Sequence, residues 1–348
     1  MNKKKSRYWI ILLALLLLVI AVLAFAYQKY KDIFFEKAGA HSSAVSLYVP
    51  TGTSYNGLMD SLWQNQLVKD TILFNHVAKY KKLPGSISPG HYLIEPNTSI
   101  NKLINKIKSN DQTPVKVTFH NIRTIQQFAG KIARQLELDS AGLLEEMQQP
   151  ETLEKFGIAS SDWLGFFIPN TYEFYWNTSP ARFLDIMSQQ HENFWNAQRR
   201  KKAKIIGLTP VEIATLASIV QEESNQVSEM DRIAGVYINR LNKGMLLQAD
   251  PTLKFANNDW TLRRVLNRHK EIDSPYNTYK YPGLPPAPLS MPEPQVIDQV
   301  LNYEKHNYLF FVASVDKPGF HEFSSSLREH NNKANRYRQQ LNQRRIYQ

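Results

Sequence analysis

The longest apolar segment of the chain covers residues 8–27, which carry no charged side chain. In a helix, about twenty such residues span roughly 30 Å, the thickness of the hydrocarbon core of a bilayer. Basic residues between Lys3 and Arg7 precede the segment, and Lys29 and Lys31 follow it. Because basic residues favour the cytoplasmic side, the pattern predicts a single-pass anchor that sends the following domains to the extracytoplasmic side.

A cleaved signal peptide is the alternative interpretation of this segment. Ala24-Phe-Ala26 resembles the small-residue sites at which signal peptides are cut. The apolar core is, however, longer than the roughly 7 to 15 residues that are usual in signal peptides, so an uncleaved anchor is favoured. We therefore assign residues 1–28 to a cytoplasmic tip and transmembrane anchor, and residues 29–43, which show little periodicity, to a linker.

Residues 44–111 have the pattern of a small module made of strands and helices. Its predicted elements are a strand over Val45–Val49, helices that begin after Ser54 and Asp70, a strand over His91–Ile94 and an amphipathic helix over Ser99–Lys108. The polar turn Ser109-Asn-Asp111 follows the last helix. A domain boundary is predicted at this turn.

Residues 112–348 mix helical and strand patterns, and the predicted fold class is therefore α+β. An alternating strand is expected over Val115–Phe119 and a helix after Thr124, and two more helices are expected between residues 140 and 205. The segment Trp163–Phe174 is rich in aromatic residues. We interpret it as part of the core, with a surface on which a saccharide stacks as the alternative.

Two consecutive helices are predicted in the middle of this region. Thr209-Pro-Val-Glu212 combines a capping Thr, Pro at the first position and Glu at the third, which is typical of a helix start. A similar pattern at Ser228–Asp231 predicts the start of the next helix, and Gly244 its end. Glu222 and Glu223 fall near the turn between the two helices, where a side chain can face a cleft.

Helical phase separates these two carboxylates. At about 100° per residue, Glu223 lies at the edge of an apolar stripe centred on Val220, whereas Glu222 points to the opposite side with Thr215 and Ser218. A carboxyl group held against apolar side chains loses hydration of its charged form, so its pKa rises and it can act as a general acid near neutral pH. Glu223 is the predicted acid and Glu222 a solvent-facing neighbour, although most glutamates at a helix margin are simply half-solvated.

Composition limits the classes of function. The 348 residues carry a net charge of +11, with a basic run at residues 199–204. We interpret the run as a solvated helix end, because an extracytoplasmic domain meets no nucleic acid. The absence of cysteine excludes disulfides and thiolate chemistry. Neither a phosphate-binding glycine loop nor a His-Glu-x-x-His motif is present, so no metal and no other cofactor is predicted.

Several motifs, in their order along the chain, resemble those of the endolytic murein transglycosylase family, whose members are also called MltG or YceG-like. The matching segments are Leu216–Ser224, Ile238–Arg240, Leu247–Thr252, Tyr276–Tyr279, Gly283–Leu289, His321–Phe323 and His330-Asn331. The resemblance covers most of residues 45–340. It implies one membrane helix, a small LysM-like module at residues 44–111 and an α+β catalytic domain at residues 112–348 that faces the cell wall.

The resemblance also implies an activity, that of a peptidoglycan lytic transglycosylase. Such an enzyme cleaves the MurNAc-GlcNAc bond of nascent glycan without net addition of water, leaves 1,6-anhydroMurNAc ends and limits strand length. The essential glutamate of the family falls on Glu223, the residue that helical phase also selects. The chain departs from the family at Leu164-Gly165, Asn170 and Ala287, where members often have Glu-Gly, Asp and Gly.

Four polar residues within or next to these motifs are the predicted substrate-binding set, because amide, carboxylate and phenol groups suit saccharide hydroxyl and acetamide groups. They are Gln248, Asp250, Asn277 and Tyr279. Asp250-Pro-Thr252 also has the pattern of a helix start, and Tyr276–Tyr279 that of a turn, so a scaffold role is the alternative for both. His321 and His330 are expected to be structural, with contact to substrate as the alternative.

Two other functions remain open at this level. A hydrolytic muramidase needs a second carboxylate, for which Asp250 and Glu222 are the candidates. A non-catalytic scaffold would bind peptidoglycan through the LysM-like module. The expected partners are peptidoglycan glycan strands, the membrane and peptidoglycan synthases. The expected location is the inner (cytoplasmic) membrane, with the catalytic domain on the periplasmic, extracytoplasmic side.

Overall fold

A computed structural model of the protein describes residues 3–262 and 265–343. Residues 1–2 of the predicted cytoplasmic tip, and residues 263–264 and 344–348 of the predicted catalytic domain, lie outside the described residues. The chain divides into two compact units. Unit 1 comprises the described part of Met1–Lys116 with Gln135–Glu137 and Glu173–Thr178, and unit 2 comprises the described parts of Val117–Arg134, Leu138–Tyr172 and Ser179–Gln348. The division into functional domains stays a prediction.

The first elements of the chain follow the expected order. They are helix α1 (Lys3–Phe34), strand β1 (Val45–Val49), helices α2 (Tyr55–Gln64) and α3 (Thr71–Tyr80), a 3-10 helix (Leu83–Gly85), strand β2 (Gly90–Ile94) and helix α4 (Ile100–Lys108). Within α1, Arg7–Phe34 is long and apolar enough to cross a membrane. The side chains of residues 8–27 are exposed along its whole length.

Unit 1 is held together by a two-stranded antiparallel sheet and the three helices that follow α1. In β1 and β2, Val45 pairs with Ile94 and Val49 with Gly90. Ser54, Asp70 and Ser99 cap α2, α3 and α4 with their side chains, as the sequence predicts. The core side chains include Leu47, Leu58, Leu62, Phe74, Tyr92, Leu103 and Ile104.

The segment between α1 and β1 differs from the expected linker. Helix α1 continues to Phe34, and Ile33 in its last turn packs against the core of unit 1. Ala38 is buried, its N–H donates to the carbonyl of Thr98 at 2.9 Å, and the N–H of Ala40 donates to the carbonyl of Gln66 at 2.9 Å. Backbone hydrogen bonds of this kind leave no pattern in the sequence. The segment between α1 and β1 is therefore folded onto unit 1 although its sequence shows no periodicity.

The remaining elements contain more helices than expected. They are β3 (Val115–Phe119), α5 (Ile125–Ala133), α6 (Ser140–Gln148), α7 (Pro150–Phe156), α8 (Trp163–Phe166), β4 (Asn170–Phe174), α9 (Pro180–Phe194), α10 (Ala197–Ile206), α11 (Pro210–Glu223), α12 (Val227–Asn242), α13 (Asp250–Ala256), a 3-10 helix (Asn267–Glu271), α14 (Pro294–Leu301), β5 (Phe310–Ala313), β6 (His321–Ser324) and α15 (Leu327–Gln343). Strand β3 pairs with β4, and β5 with β6. The α+β class is confirmed.

The main core of unit 2 surrounds α11 and α12. Both helices contribute buried side chains to it, as does α14 through Val296, Ile297 and Val300. The aromatic segment that contains α8 is also buried over residues 163–169: Trp163 and Phe167 are 3% and 1% exposed, and the Trp163 indole donates to the carbonyl of Met147 at 3.0 Å. The interpretation as core is thus confirmed for these residues, whereas Asn170, Thr171 and Glu173 of β4 are exposed.

Candidate active site

Helix α11 brings Glu223 to its C-terminal end. Thr209 and Glu212 form the predicted capping box, in which the Glu212 carboxylate accepts the Thr209 N–H at 2.7 Å. Helix α12 begins at Val227, with Gln226 at the capping position and no side-chain cap. The predicted cap at Ser228 is therefore wrong, because the helix has already started one residue earlier.

Helix α11 is buried on all sides over Ile213–Val220, so the predicted division into an apolar and a polar face is wrong. Thr215 and Ser218, which helical phase placed on the polar side, are 1% and 0% exposed. The Thr215 hydroxyl donates to the carbonyl of Val211 at 2.9 Å, and the Ser218 hydroxyl to that of Thr215 at 2.7 Å. A hydroxyl that hydrogen-bonds to its own helix can be buried at little cost.

Glu223 is partly buried, and its carboxyl group accepts one hydrogen bond from the described residues. The hydroxyl of Tyr237, on α12, donates to Oε1 of Glu223 at 2.6 Å. Burial raises the pKa of Glu223 from 4.5 to about 7, and the negative charge of Asp250 adds to the rise. The Tyr237 hydrogen bond and the charges of Lys254 and Arg240 act in the opposite direction. Near neutral pH, a substantial fraction of this carboxyl group is therefore protonated.

Glu223 faces a cavity of 330 Å³, which lies within unit 2 and within the size range of small-ligand sites. The residues that line it are Glu223, Tyr237, Arg240, Leu247, Gln248, Asp250, Tyr279, Phe310, Phe311, Leu327, His330 and Asn331. Aromatic rings and hydrogen-bonding groups therefore line the same space as the candidate acid. This combination suits a saccharide, which has both apolar ring faces and hydroxyl groups.

Asp250 and Tyr279 lie in this cavity as a hydrogen-bonded pair. Asp250 is the first residue of α13, and its Oδ1 accepts the Tyr279 hydroxyl at 2.6 Å. Burial, followed by the charge of Asp250, raises the pKa of Tyr279 well above its usual range, so the phenol stays protonated as a donor. Both predicted residues are therefore near Glu223, and both keep polar groups at the cavity wall.

Gln248 also lines the cavity, where its backbone is left-handed with φ +50°. The N–H of Gln248 donates to the carbonyl of Thr278 at 3.0 Å. Arg240 reaches the same loop from α12: it donates to the carbonyl of Leu247 at 2.8 Å and to that of Leu309 at 2.7 Å. One guanidinium group thus fixes two segments of the cavity wall.

Asn277 was also predicted to bind substrate, but it is not among the residues that line the cavity. The residue is 0% exposed. Its amide donates to the carbonyls of Lys270 and Ile272 at 2.9 and 2.8 Å, and its Oδ1 accepts the N–H of Tyr279 at 3.0 Å. All these partners are backbone groups, so Asn277 shapes the loop that presents Tyr279, which favours the scaffold alternative.

Glu222 is not the solvent-facing residue that helical phase predicts. Its side chain is 16% exposed and forms an ion pair with Arg123 at 3.1 Å. The Arg123 guanidinium also lies 4.4 Å from the ring centre of Trp260. Glu222 is not among the lining residues of the cavity, so the two neighbouring glutamates do occupy different environments.

The two histidines of the C-terminal motifs have different positions. His321 Nδ1 lies 2.8 Å from Oε1 of Glu229, a carboxylate that is 3% exposed and also accepts the Ser224 hydroxyl at 2.6 Å. His321 therefore ties β6 to the start of α12, outside the cavity lining. His330, by contrast, stacks on Phe310 with ring centres 5.3 Å apart and lines the cavity with Asn331.

Sequence reasoning assigned no role at the site to Tyr237, Arg240, Phe310 or Phe311. Tyr237 belongs to the apolar face of α12, and its pattern is that of an ordinary core residue. Arg240 carries a weak signal, since a charged residue that falls next to the buried stripe of a helix requires partners. Among residues 3–262 and 265–343, no group of three or more His, Cys, Asp or Glu side chains could hold a metal ion.

Comparison with known proteins identifies the family of this chain. The family model described as YceG-like matches residues 47–336, which is most of the sequence. The protein belongs to the YceG-like family, which confirms the resemblance that the order of the motifs indicated.

Three relatives and one solved structure extend this finding. An endolytic murein transglycosylase of Bacillus subtilis (strain 168) is 26% identical over 312 residues, which cover 85% of each chain. Two proteins of the same name from Streptococcus pneumoniae, strains D39 and R6, are 26% identical over 322 residues, or 84% of this chain and 58% of theirs. A 2.6 Å crystal structure of a YceG-like protein from Listeria monocytogenes matches with a TM-score of 0.55 and 25% identity, over 84% of this chain and 99% of that one.

Proposed function

We propose that the protein is an endolytic lytic transglycosylase that cleaves the MurNAc-GlcNAc bond of nascent peptidoglycan. The observation that carries the proposal is Glu223, a carboxyl group with a pKa of about 7 that faces a 330 Å³ cavity lined by aromatic and hydrogen-bonding side chains. Relatives at 26% identity that are named endolytic murein transglycosylases support it. The substrate class follows from that name, and the acid from the geometry of the site.

The proposed reaction needs one protein carboxyl group. Protonated Glu223 donates its proton to the glycosidic oxygen as the bond from this oxygen to C1 of MurNAc breaks. The 6-hydroxyl of the same MurNAc forms the new bond to C1, and the Glu223 carboxylate accepts the hydroxyl proton. The products are a 1,6-anhydroMurNAc end and a free GlcNAc hydroxyl, so Glu223 is protonated again and no water is consumed.

An intramolecular nucleophile explains why a single acid suffices. The effective molarity of a well-oriented internal hydroxyl reaches about 10⁵ M or more, which replaces a water molecule activated by a second carboxylate. The position of Glu222 supports this view, since its carboxylate is paired with Arg123. Asp250, Gln248 and Tyr279 then have the role of binding the distorted sugar and supporting positive charge near its C1.

We further propose that α1 anchors the enzyme in the cytoplasmic membrane. The helix Arg7–Phe34 has the length and composition of a membrane span, and the basic residues before it favour a cytoplasmic N-terminus. The site would then face the glycan strands as they are polymerised outside the membrane, beside the peptidoglycan synthases. The strand-helix-helix-strand order of β1, α2, α3 and β2 supports a LysM-like module as a second contact with glycan.

The test is product analysis with Glu223→Gln and its neighbour as the matched control. Purified full-length protein is incubated with uncrosslinked glycan strands, and the products are separated and weighed by mass spectrometry. Wild type and Glu222→Gln should release fragments with 1,6-anhydroMurNAc ends. Glu223→Gln, which cannot donate or accept the proton, should lose at least a thousandfold in rate. Anhydro products from Glu223→Gln would contradict the proposal.

A hydrolytic muramidase is the second candidate, because Asp250 lines the same cavity as Glu223 and offers a second carboxylate. The same experiment separates the two reactions, since hydrolysis gives reducing MurNAc ends that carry one additional water. A non-catalytic scaffold predicts that strands stay intact with every variant.

A further inference from the structure

Tyr237 is the only residue in the described part of the chain that hydrogen-bonds to the Glu223 carboxyl group. Its hydroxyl donates to Oε1 at 2.6 Å, and its side chain is 2% exposed. The Tyr237 ring packs edge-on against Phe311, with ring centres 5.9 Å apart and an interplanar angle of 89°. The phenol is therefore fixed by packing at one end and by the carboxyl group at the other.

The two oxygens of Glu223 are consequently unequal. Oε1 is occupied by Tyr237, whereas no hydrogen bond from the described residues reaches Oε2. Glu223 lines the cavity. Oε2 has no hydrogen-bond partner among the described residues, yet it does not belong to the buried polar atoms that lack one, so it is accessible. An oxygen that is accessible and free of protein partners can approach a ligand in the cavity, whereas the other oxygen already uses one lone pair to accept the Tyr237 hydroxyl.

We propose that Tyr237 is a positioning residue that clamps Oε1 of Glu223 and thereby assigns Oε2 as the oxygen that exchanges the proton with the substrate. This inference rests on the proposed function of Glu223. A clamped carboxyl group presents its free oxygen in one orientation, which removes the need to order the side chain during the reaction. A rotating carboxyl group would offer either oxygen and spend part of its time misaligned.

Tyr237 acts on the ionisation of Glu223 as well as on its orientation. The groups around Glu223 are Tyr237 and Arg240 from α12, Asp250 and Lys254 from α13, and Tyr279, while His330 of α15 lines the same cavity. Burial has the largest effect and raises the pKa of Glu223, as Asp250 does. Tyr237, Lys254 and Arg240 lower it. A phenol that donates to the carboxylate therefore favours the charged form.

The test is the pH profile of Tyr237→Phe, measured on the full-length protein with soluble glycan strands. The substitution keeps the ring and removes only the hydroxyl. We expect kcat to fall roughly 10- to 100-fold with KM within about twofold, because the loss is one of alignment in the transition state. Activity requires protonated Glu223, so it falls as pH rises through about 7 in the wild type. In Tyr237→Phe this alkaline limb of kcat/KM should move to higher pH.

Asp250→Asn is the matched variant that should shift the pKa of Glu223 in the opposite direction. It removes a negative charge that raises the pKa of Glu223, so its alkaline limb should move to lower pH. Tyr303→Phe is the control, since Tyr303 packs against the main core of unit 2 but does not line the cavity, and it should keep wild-type rate and profile.

The outcomes separate the inference from the proposed function. If Tyr237→Phe lowers the rate but leaves the alkaline limb where it is in the wild type, or changes KM instead of kcat, Tyr237 has only a structural role and the inference is wrong. Activity in Glu223→Gln would instead overturn the proposed function. An inactive Glu223→Gln together with an unshifted Tyr237→Phe therefore rejects the clamp and leaves Glu223 as the acid.

Discussion

At the scale of single residues, the raised pKa that supports the proposed role of Glu223 as the acid also destabilises the fold. A carboxyl group whose pKa rises from 4.5 to about 7 on folding binds its proton more tightly in the folded state. Between these two pH values the folded state holds more protons than the unfolded state, so the free energy of unfolding falls as pH rises. Above pH 7 the carboxylate is charged in both states, and the free energy of unfolding has been lowered by the full amount that corresponds to the raised pKa.

This gives a prediction on stability for Glu223→Gln. At pH 4.5 the variant and the wild type should unfold at similar urea concentrations, because both carry a largely neutral side chain. At pH 8 the variant should be more stable, by a free energy of unfolding on the order of 3 kcal/mol, which corresponds to the shift from 4.5 to about 7. Urea titrations followed by tryptophan fluorescence at the two pH values measure the difference.

Glu222→Gln should behave in the opposite way at pH 8. It removes an ion pair with Arg123 at a side chain that is only 16% exposed, so it should destabilise the protein modestly. Equal pH dependence of unfolding in Glu223→Gln and in the wild type would show that Glu223 has an ordinary pKa in the folded protein.

The residue scale also shows how far the sequence predicts the site. The sequence predicted the acid and three substrate-binding residues that do lie around one cavity, namely Glu223, Gln248, Asp250 and Tyr279. Asn277 was predicted with them but does not line the cavity, because its amide binds backbone groups that its position in the sequence does not reveal. Tyr237 was missed for a related reason: a tyrosine on an apolar helical face looks like core until the partner of its hydroxyl is known.

At the scale of elements, the close approach of two backbone segments fixes the connection between α1 and β1. A Cβ at Gly39 would lie 2.8 Å from the carbonyl carbon of Leu67, and closer still to the carbonyl oxygen of Gln66. Since these neighbours are backbone atoms, they cannot move aside as a flexible side chain would. Glycine is therefore required here by contact and not by a left-handed backbone.

Gly39→Ala should destabilise unit 1 by about 1–3 kcal/mol, because the segment must move away and lose its hydrogen bonds, such as the one from Ala40 to Gln66. Thermal unfolding of the variant measures the loss. Gly85→Ala is the control, since a Cβ at Gly85 meets nothing within 4 Å, and it should be neutral or slightly stabilising. If both variants have the same melting temperature, the segment is a loose spacer.

The elements that the sequence predicted are those with local signals. Ser54, Ser99 and Thr209 start their helices because a cap needs only the three residues that follow it. Strands β5 and β6 were not predicted: each has four residues, and their pairing, such as that of Phe310 with Ser324, depends on contacts distant in sequence. Helix α11 was predicted as an element, but its burial on all sides depends on tertiary packing.

At the scale of the whole molecule, the candidate site and the apolar helix lie in different parts of the chain. Every residue that lines the cavity belongs to unit 2, from Glu223 on α11 to Asn331 on α15. Helix α1 belongs to unit 1, and its last turn packs into that core through Ile33. The proposed chemistry should therefore be separable from the proposed anchor, provided that Ile33 is retained.

The last prediction concerns this separation. If residues 1–28 are replaced by a cleavable signal peptide, Ile33 remains, and the protein should be exported as a soluble enzyme. Its kcat on isolated glycan strands should stay within about twofold of the full-length value, since no residue of the cavity is changed. In cells it should yield fewer 1,6-anhydroMurNAc ends in newly made glycan, because a membrane anchor raises the effective concentration of the site where strands are polymerised.

An unrelated apolar helix in place of residues 8–27 is the matched control and should restore the ends to the wild-type number. If the soluble enzyme restores them equally well, α1 serves only for export.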